Sequence, residues 1–493
     1  MQRSITPLSG VNLAQQACAS CKMRKRKCTK GLPKCSLCSK KNWKCDYTQS
    51  DQNSQGASGS WLSASSVEDR RRSMQGIDVL FLDSRVFQYS RVEISGTTIP
   101  IPAHITSIIG DVTDIRIFAS HFFDTIQTWM PIISKKRFYD HHLHPSSQSR
   151  ADLSLLFLCM KLIISLPLEH TKNPQTPLYC AAKQFYLEVE TAGIFSFYVL
   201  QAGLLISLYE LGHAIYPSAF LSIGVCARYA YALGISGNAT SQVSKPFTWV
   251  EQEERRRVWW AIIILDRFVS IGHPGRRFAA EDPKPHDLLP VDDAAWDNGM
   301  VTCDDSSTLS SPLSSNMSKF ALVAQAAGLL GQVLKHVSAH ATDWVLHHEE
   351  GVQLDRTLHA LITVKLIHDL TCYSALIALH EPQVSSNSGF SIDPDHCHYA
   401  SSVSEAVSKT VAATVPQYLP GLGLNSEKVS VWGLHLIYQA SVVYMRLNRE
   451  ANSSNYLEVL KTLQQALRVL DVRWKAAGVY LQVLEAWEVM GIC

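Results

Sequence analysis

Six cysteines fall between positions 18 and 45, and they constrain the fold more than any other feature of this 493-residue chain. The segment reads CASCKMRKRKC, then TKGLPK, then CSLCSKKNWKC: two C-x2-C-x6-C halves joined by six residues. A stretch this short cannot assemble a hydrophobic core of its own, so cross-links or metal must hold it. Three disulfides would be one solution. The first ten residues, MQRSITPLSG, lack the apolar core of a signal peptide, which predicts a reducing compartment and favours thiolate ligands to a metal. Tetrahedral zinc takes four sulfurs, and two separate ions would need eight. With six, two cysteines must each bridge both metals, and the near-repeat suggests equivalent positions in the two halves. The other seven cysteines (159, 180, 226, 303, 372, 397 and 493) are scattered singly and read as buried small hydrophobes or idle thiols.

Charge is divided as sharply as cysteine. Residues 1–50 hold eleven Lys/Arg against one acid, Asp46, whereas the chain as a whole carries 45 against 43. A basic head of +10 therefore precedes a mildly acidic remainder of −8, a pattern suited to a polyanion-binding module. Lys22, Arg24, Lys25, Arg26 and Lys27 fill five of the six positions between Cys21 and Cys28, so a helix there is basic on nearly every face and cannot enter an apolar core. A solvated charge run or an import signal remains the plainer alternative, although such runs rarely lie inside a metal-ligand frame.

Over residues 18–47 the segment resembles the fungal six-cysteine binuclear zinc-cluster transcription factors, with Pro33 turning the inter-half loop and Asp46-Tyr47 following the last cysteine. The resemblance implies a DNA-binding module over 14–48 holding two zinc ions per chain. Cys18 and Cys35 would bridge, Cys21 and Cys28 would complete one site, and Cys38 and Cys45 the other. It further implies that the end of the first helix enters the major groove of double-stranded DNA at CGG-type half-sites. Lys25, helped by Arg24, would donate to guanine acceptors. Lys22, Arg26, Lys27, Lys34, Lys40, Lys41 and Lys44 would contact phosphates, which give affinity and position but little sequence information. Trp43 is expected to pack within the second half. A nuclear location, contact with the transcription machinery and control of RNA polymerase II genes follow from the same resemblance, with activation of a metabolic or secondary-metabolite gene cluster the typical role.

Residues 49–105 are expected to be a largely flexible linker, since the tract TQSDQNSQGASGSWLSASS is too polar to order itself. Many relatives dimerise through a coiled coil here. Val67, Met74, Ile77 and Leu80 sustain no a/d heptad and Gly76 interrupts them, so a homodimer would have to form through the body. Clusters at 77–87 and 92–105 suggest a strand or docking arm.

Residues 106–493 read as a large all-α regulatory domain. Ile117, Phe118, His121, Phe122 and Thr125, and Leu155, Leu158, Cys159 and Leu162, recur at helical spacing. Further helices are expected over 178–191, 197–211, 217–233, 249–271, 318–341, 354–380, 401–415, 426–449 and 455–488. Thr191 to Tyr209 is uncharged and long enough to span a bilayer, yet its Ser and Gln content and bounding glutamates favour a buried helix, so no membrane is expected. EQEERRRVWWAIIILDRF (251–268), Gly275-Arg276, ARYAYALG (227–234) and Phe118-xx-His121-Phe122 resemble the middle homology region of the same regulators across about 115–300.

The competing reading is a metal-dependent or other enzyme in the body with an accessory nucleic-acid-binding head. Its candidate residues are thin: His141, His142 and His144, His347-His348, His396-Cys397-His398, and Asp266-Arg267, the last expected to be a structural ion pair. Neither a complete phosphate-binding glycine fingerprint nor a Gly-x-Ser-x-Gly elbow occurs. Eight acids between 281 and 305 form either a solvated loop or a patch that recruits the transcription machinery.

Overall fold

The structure, a computed structural model, describes Ala14 and residues 17–45, and residues 99–490 except 144–149, 168–172, 237–247, 274, 300–306, 313–316, 340–343, 364–369, 386–393, 425 and 452–453. The polar tract at 48–66, the broken heptad at 67–80 and the apolar cluster at 77–87 lie outside the described residues. The chain divides into a head unit, residues 1–90, and a body unit, residues 91–493.

The head contains two one-turn helices, α1 (Ala19–Met23) and α2 (Ser36–Lys40), each capped at its N-terminus by the first cysteine of a half. They are built alike. Lys22 N–H donates to Cys18 O at 3.0 Å and Ser39 N–H to Cys35 O at 2.9 Å; Arg26 N–H donates to Cys21 O at 3.0 Å and Trp43 N–H to Cys38 O at 2.9 Å. Each helix ends in a left-handed residue at the same place, Lys25 (φ 49°) and Asn42 (φ 49°). The sequence near-repeat is thus a structural near-repeat.

The body opens with α3 (Ala103–Ile109), so Ile105, which the sequence places in the linker, is fully buried in the first body helix. Ile99 and Ile101, expected in a strand or arm, pack against the same core. Asp111 and Asp114 form a reciprocal capping box that starts α4 (Val112–Asp124). The buried stripe of α4 is Ile115, Phe118, Ala119 and Phe122; Ile117, which the sequence puts on that stripe, is 66% exposed. A spacing argument had two interleaved faces to choose from, and packing against α5 (Ala151–Ile164) selected the one through Ile115.

The stretch at 191–209 divides between α6 (Pro177–Thr191) and α7 (Phe197–Gly212), with Ser196 capping the latter. Polar groups of α7 find partners inside the body: Gln201 Nε2 donates to Ile132 O at 2.8 Å, and Glu210 Oε1 accepts from Tyr179 Oη and Lys183 Nζ, both at 2.7 Å. After α8 (Ser218–Ala232) comes α9 (Trp249–Ser270), buried along most of its length. A short helix, α10 (Asp293–Asn298), precedes α11 (Lys319–Ser338). By length and composition α11 is the one helix among the described residues able to cross a membrane, and 67% of its apolar window is buried in the body.

The remaining elements are α12 (Trp344–Thr363), α13 (Leu370–Ser385), α14 (Pro394–Leu424), α15 (Trp432–Ala451), α16 (Ser454–Leu470) and α17 (Ala476–Met490). Two spans expected as single helices, 354–380 and 455–488, are each divided between two. At 471–475 the cause is visible. Arg473 and Trp474 are buried in the turn, with Trp474 Nε1 donating to Val429 O at 2.8 Å and Arg473 reaching the carbonyl of Ile163. Burying the large indole and guanidinium there outweighs helix continuity.

A single hydrophobic core runs through the body, from Ile105 to Leu484. The only bridge pairing among the described residues joins Leu288 and Thr308, so the body is all-α. Trp474 packs the turn before α17 against α7, because its ring lies where Gly212 has no side chain; a Cβ at Gly212 would overlap it. Gly212→Ala is expected to destabilise the body by about 1–3 kcal/mol through overpacking, seen as a lower urea midpoint with an unchanged slope. An unchanged midpoint would mean that Trp474 can shift freely.

Candidate metal centre and nucleic-acid interface

Cys18, Cys21, Cys35 and Cys38 are fully buried, and Cys28 and Cys45 half-buried, in a cluster that also takes in Leu37 and Trp43. Two sulfur tetrads emerge. Cys18, Cys21, Cys28 and Cys35 form one and Cys18, Cys35, Cys38 and Cys45 the other; within each, all sulfurs lie within 4.8 Å of one another. Cys18 and Cys35 belong to both. Zinc–thiolate bonds of about 2.3 Å in a tetrahedron set neighbouring sulfurs about 3.8 Å apart. Cys18 and Cys35 Sγ are 3.8 Å apart, Cys18 and Cys38 3.6 Å, and Cys21 and Cys35 3.6 Å. A disulfide would require about 2.05 Å, and these cysteines are free thiols. The donor set therefore fits two zinc ions.

The electrostatics also call for a cation. Burial pushes the Cys21 thiol up to about 12 and raises those of Cys18 and Cys38, whereas the Cys38 backbone N–H, donated to Cys35 Sγ at 3.4 Å, draws the Cys35 thiol down to about 6. Buried thiolates at such spacing repel one another unless metal lies between them. Around this centre stand ten Lys/Arg and not one carboxylate from residue 17 to 45. Lys22, Arg24, Lys25, Arg26, Lys27, Lys34, Lys40, Lys41 and Lys44 are all exposed. Arg24 lies over the half-buried Trp43 ring, 4.3 Å from its centroid, so the tryptophan packs a basic side chain of the other half. Ser20 Oγ donates to the Lys44 carbonyl and further ties the halves together.

The body's candidate residues are mostly structural. Asp266 Oδ2 accepts from Arg267 at 2.7 Å and from the Ala279 and Ala280 N–H groups at 3.0 Å, and Arg267 also meets Asp282 at 3.1 Å. Desolvation raises the Asp266 carboxyl and lowers the Arg267 guanidinium, as expected of a buried pair. His142 is not a solvated loop residue: it is 3% exposed in a π turn (Phe138–His142), 3.1 Å from Tyr198 Oη, and burial lowers it to about 3. His141 is exposed and His144 lies outside the described residues. His398 is exposed, Cys397 is half-buried, and the His396 side chain lies outside them too.

Within the described part of the acidic stretch at 281–305, four acids are tied into the body. Asp282 pairs with Arg267, Asp287 accepts from the Lys284 N–H, Asp292 caps α10, and Asp293 meets Arg257 at 2.6 Å. Trp296 lies under the Arg257 guanidinium at 4.1 Å. Asp304 and Asp305 lie outside the described residues. Sequence reading missed one convergence, that of His336 with His347 and Glu350. Its sequence traces are the His347-His348 pair and the i, i+3 spacing of His347 and Glu350.

Comparison with known proteins settles the family. Residues 16–54 match the fungal Zn(2)-Cys(6) binuclear cluster domain, and residues 119–365, half of the chain, match the fungal specific transcription factor domain. The chain belongs to the fungal zinc-cluster transcription factors. It is similar to transcription factor BOA15 of Botryotinia fuckeliana, at 34% identity over 182 residues, 37% of this chain and 99% of the relative. It also matches the pigment biosynthesis transcriptional activator pigB of Monascus ruber (26% over 191 residues, 36% of this chain, 34% of the relative). Transcription factor tazR of Aspergillus terreus is 27% identical over 159 residues, 30% of this chain and 24% of the relative. These names are those of transcription factors, not enzymes. The family regulator accordingly carries a two-zinc cluster on its head and a helical regulatory body.

Ordering of so small a head must come from metal ligation. Metal analysis of the dialysed full-length regulator should find two tightly held zinc ions from the head. Chelation should abolish DNA binding while leaving the far-ultraviolet helical signal of the body in place; DNA binding that survives complete zinc removal would refute this account.

Proposed function

We propose that the protein is a nuclear, sequence-specific regulator of RNA polymerase II genes that reads CGG-type triplets in the major groove through Lys25. Cys18 and Cys35 bridge the two zinc ions, Cys21 and Cys28 complete the first site, and Cys38 and Cys45 the second. The observation that carries the reading is the place of Lys25: an exposed cation in the left-handed residue that ends α1, on a surface with no carboxylate. At the equivalent position of the second half stands Asn42, which has no charge. That asymmetry supports base reading by the first half. Arg24, steadied on Trp43, assists. Lys22, Arg26, Lys27, Lys34, Lys40, Lys41 and Lys44 fit phosphates by their exposure.

The role is that of an activator of a metabolic or secondary-metabolite gene cluster, supported by the pigment-biosynthesis activator among the relatives. The body acts as regulator, not as enzyme, because Asp266, Arg267 and His142 are enclosed in structural bonds. Residues 14–48 form the DNA-binding domain, and the chain from 49 to the start of the body at about 99 connects the two. Dimerisation through the body would then select the spacing of half-sites, with the transcription machinery engaged from the same body.

Lys25→Ala should lose about 1–3 kcal/mol of binding on CGG duplexes and little on scrambled ones, whereas Lys41→Ala should weaken both alike and reduce the salt slope by about one. Equal losses from Lys25→Ala on both duplexes would reject Lys25 as a base reader. On paired CGG sites the full-length chain should show a spacing preference that residues 1–75 lack. Matching profiles would remove the body from dimerisation.

A further inference from the structure

His336 lies in the last turn of α11 and His347 in the first turns of α12, and their rings stack with centroids 3.9 Å apart and planes 10° from parallel. Glu350, one turn along α12 from His347, places Oε2 3.0 Å from His336 Nδ1. One ligand atom from each of the three falls within 4.8 Å of the others. We propose that His336, His347 and Glu350 form a third metal site, for a first-row divalent cation such as zinc, separate from the thiolate cluster, with the half-buried His347 ring turning out of the stack so that both in-plane lone pairs meet one ion.

Two imidazoles and a carboxylate are a borderline-soft donor set that suits such ions and leaves further positions to water. Burial is graded in the way an accessible site requires. The His336 side chain is 5% exposed, which fixes it as an anchor, while that of Glu350 is 60% exposed and gives an ion a way in. Among the described residues Glu350 pairs with His336 and with no lysine or arginine within 4.0 Å. Position 351 bears on the same geometry. A Cβ there would stand 3.0 Å from His336 Nε2, so glycine is what lets α12 come this close to the imidazole. A bound ion would clasp the end of α11 to the start of α12.

Cobalt(II) titrated into dialysed full-length protein that retains only the two zinc ions of the head tests this. The head keeps its zinc, because cobalt binds more weakly than zinc to the same ligands. One further equivalent should bind, with weak visible d–d bands and no thiolate-to-cobalt charge transfer. His347→Ala and Glu350→Gln, both at side chains that solvent reaches, should each weaken that equivalent about tenfold or more, since even outer-shell changes cost that much. Circular dichroism checks that both variants keep the helical signal. Absence of the extra equivalent, its persistence at full affinity in the two variants, or charge-transfer bands that place it on cysteines would each overturn the site.

Discussion

The body depends on a line of charges carried through its core by α9. Glu253, Glu254, Arg257, Asp266 and Arg267 are all essentially inaccessible to solvent, and each reaches outside the helix. Glu254 takes the Ser134 N–H at 2.8 Å and Gln201 at 3.0 Å, besides its ion pair with Arg137. Glu253 takes the Val291 N–H at 2.9 Å and Arg257 Nε at 2.9 Å. Arg267 holds the carbonyls of Ala280 and Glu281. These are the non-helical segments that otherwise have least to order them. Buried charges are worth little as net stability, but removing one partner strands the other at a cost of several kcal/mol. The network therefore specifies one loop arrangement more than it adds stability, and it engages Asp282 and Asp293, two of the acids that a sequence reader would assign to recruitment.

The head solves the opposite problem. It has almost no core, a charge that repels itself, and three thiols, those of Cys18, Cys21 and Cys38, that burial holds back from ionising. Two zinc ions supply the attraction, and the shared sulfurs bring the halves together. The basic side chains are then displayed on a rigid frame. Because Lys25 follows directly on the helix that carries Cys21, its backbone position is fixed by the ligands themselves. The display of this basic surface is in this sense a consequence of metal ligation.

Regulation would pass through a body whose ends are packed together. Trp129, Trp432, Phe268 and Trp474 form edge and tilted ring contacts at 4.4–6.3 Å that link α9, α15 and the turn before α17. Asp355 on α12 accepts from His380 on α13 at 2.8 Å and from Tyr399 on α14 at 2.9 Å. Helices distant in sequence thus share contacts, so a change at one of them meets packed side chains, not a loose joint.

The cysteine spacing, the charge division and the helical periods were legible in the sequence because each rests on local order: ligands a few residues apart, or apolar residues one turn apart. They determined by themselves a two-zinc basic head, an all-α body and the buried helix at 249–270. Other features were decided only by tertiary structure. Ile117 faces outward though its spacing is helical, His142 is buried though it lies beside other histidines and a proline, and the span at 455–488 breaks where Trp474 finds Val429. His336 meets His347 and Glu350 only because two helices end and begin side by side. In each case the deciding partner is distant in sequence or lies across a turn, and local patterns carry no information about which of two acceptable faces or neighbours will meet it.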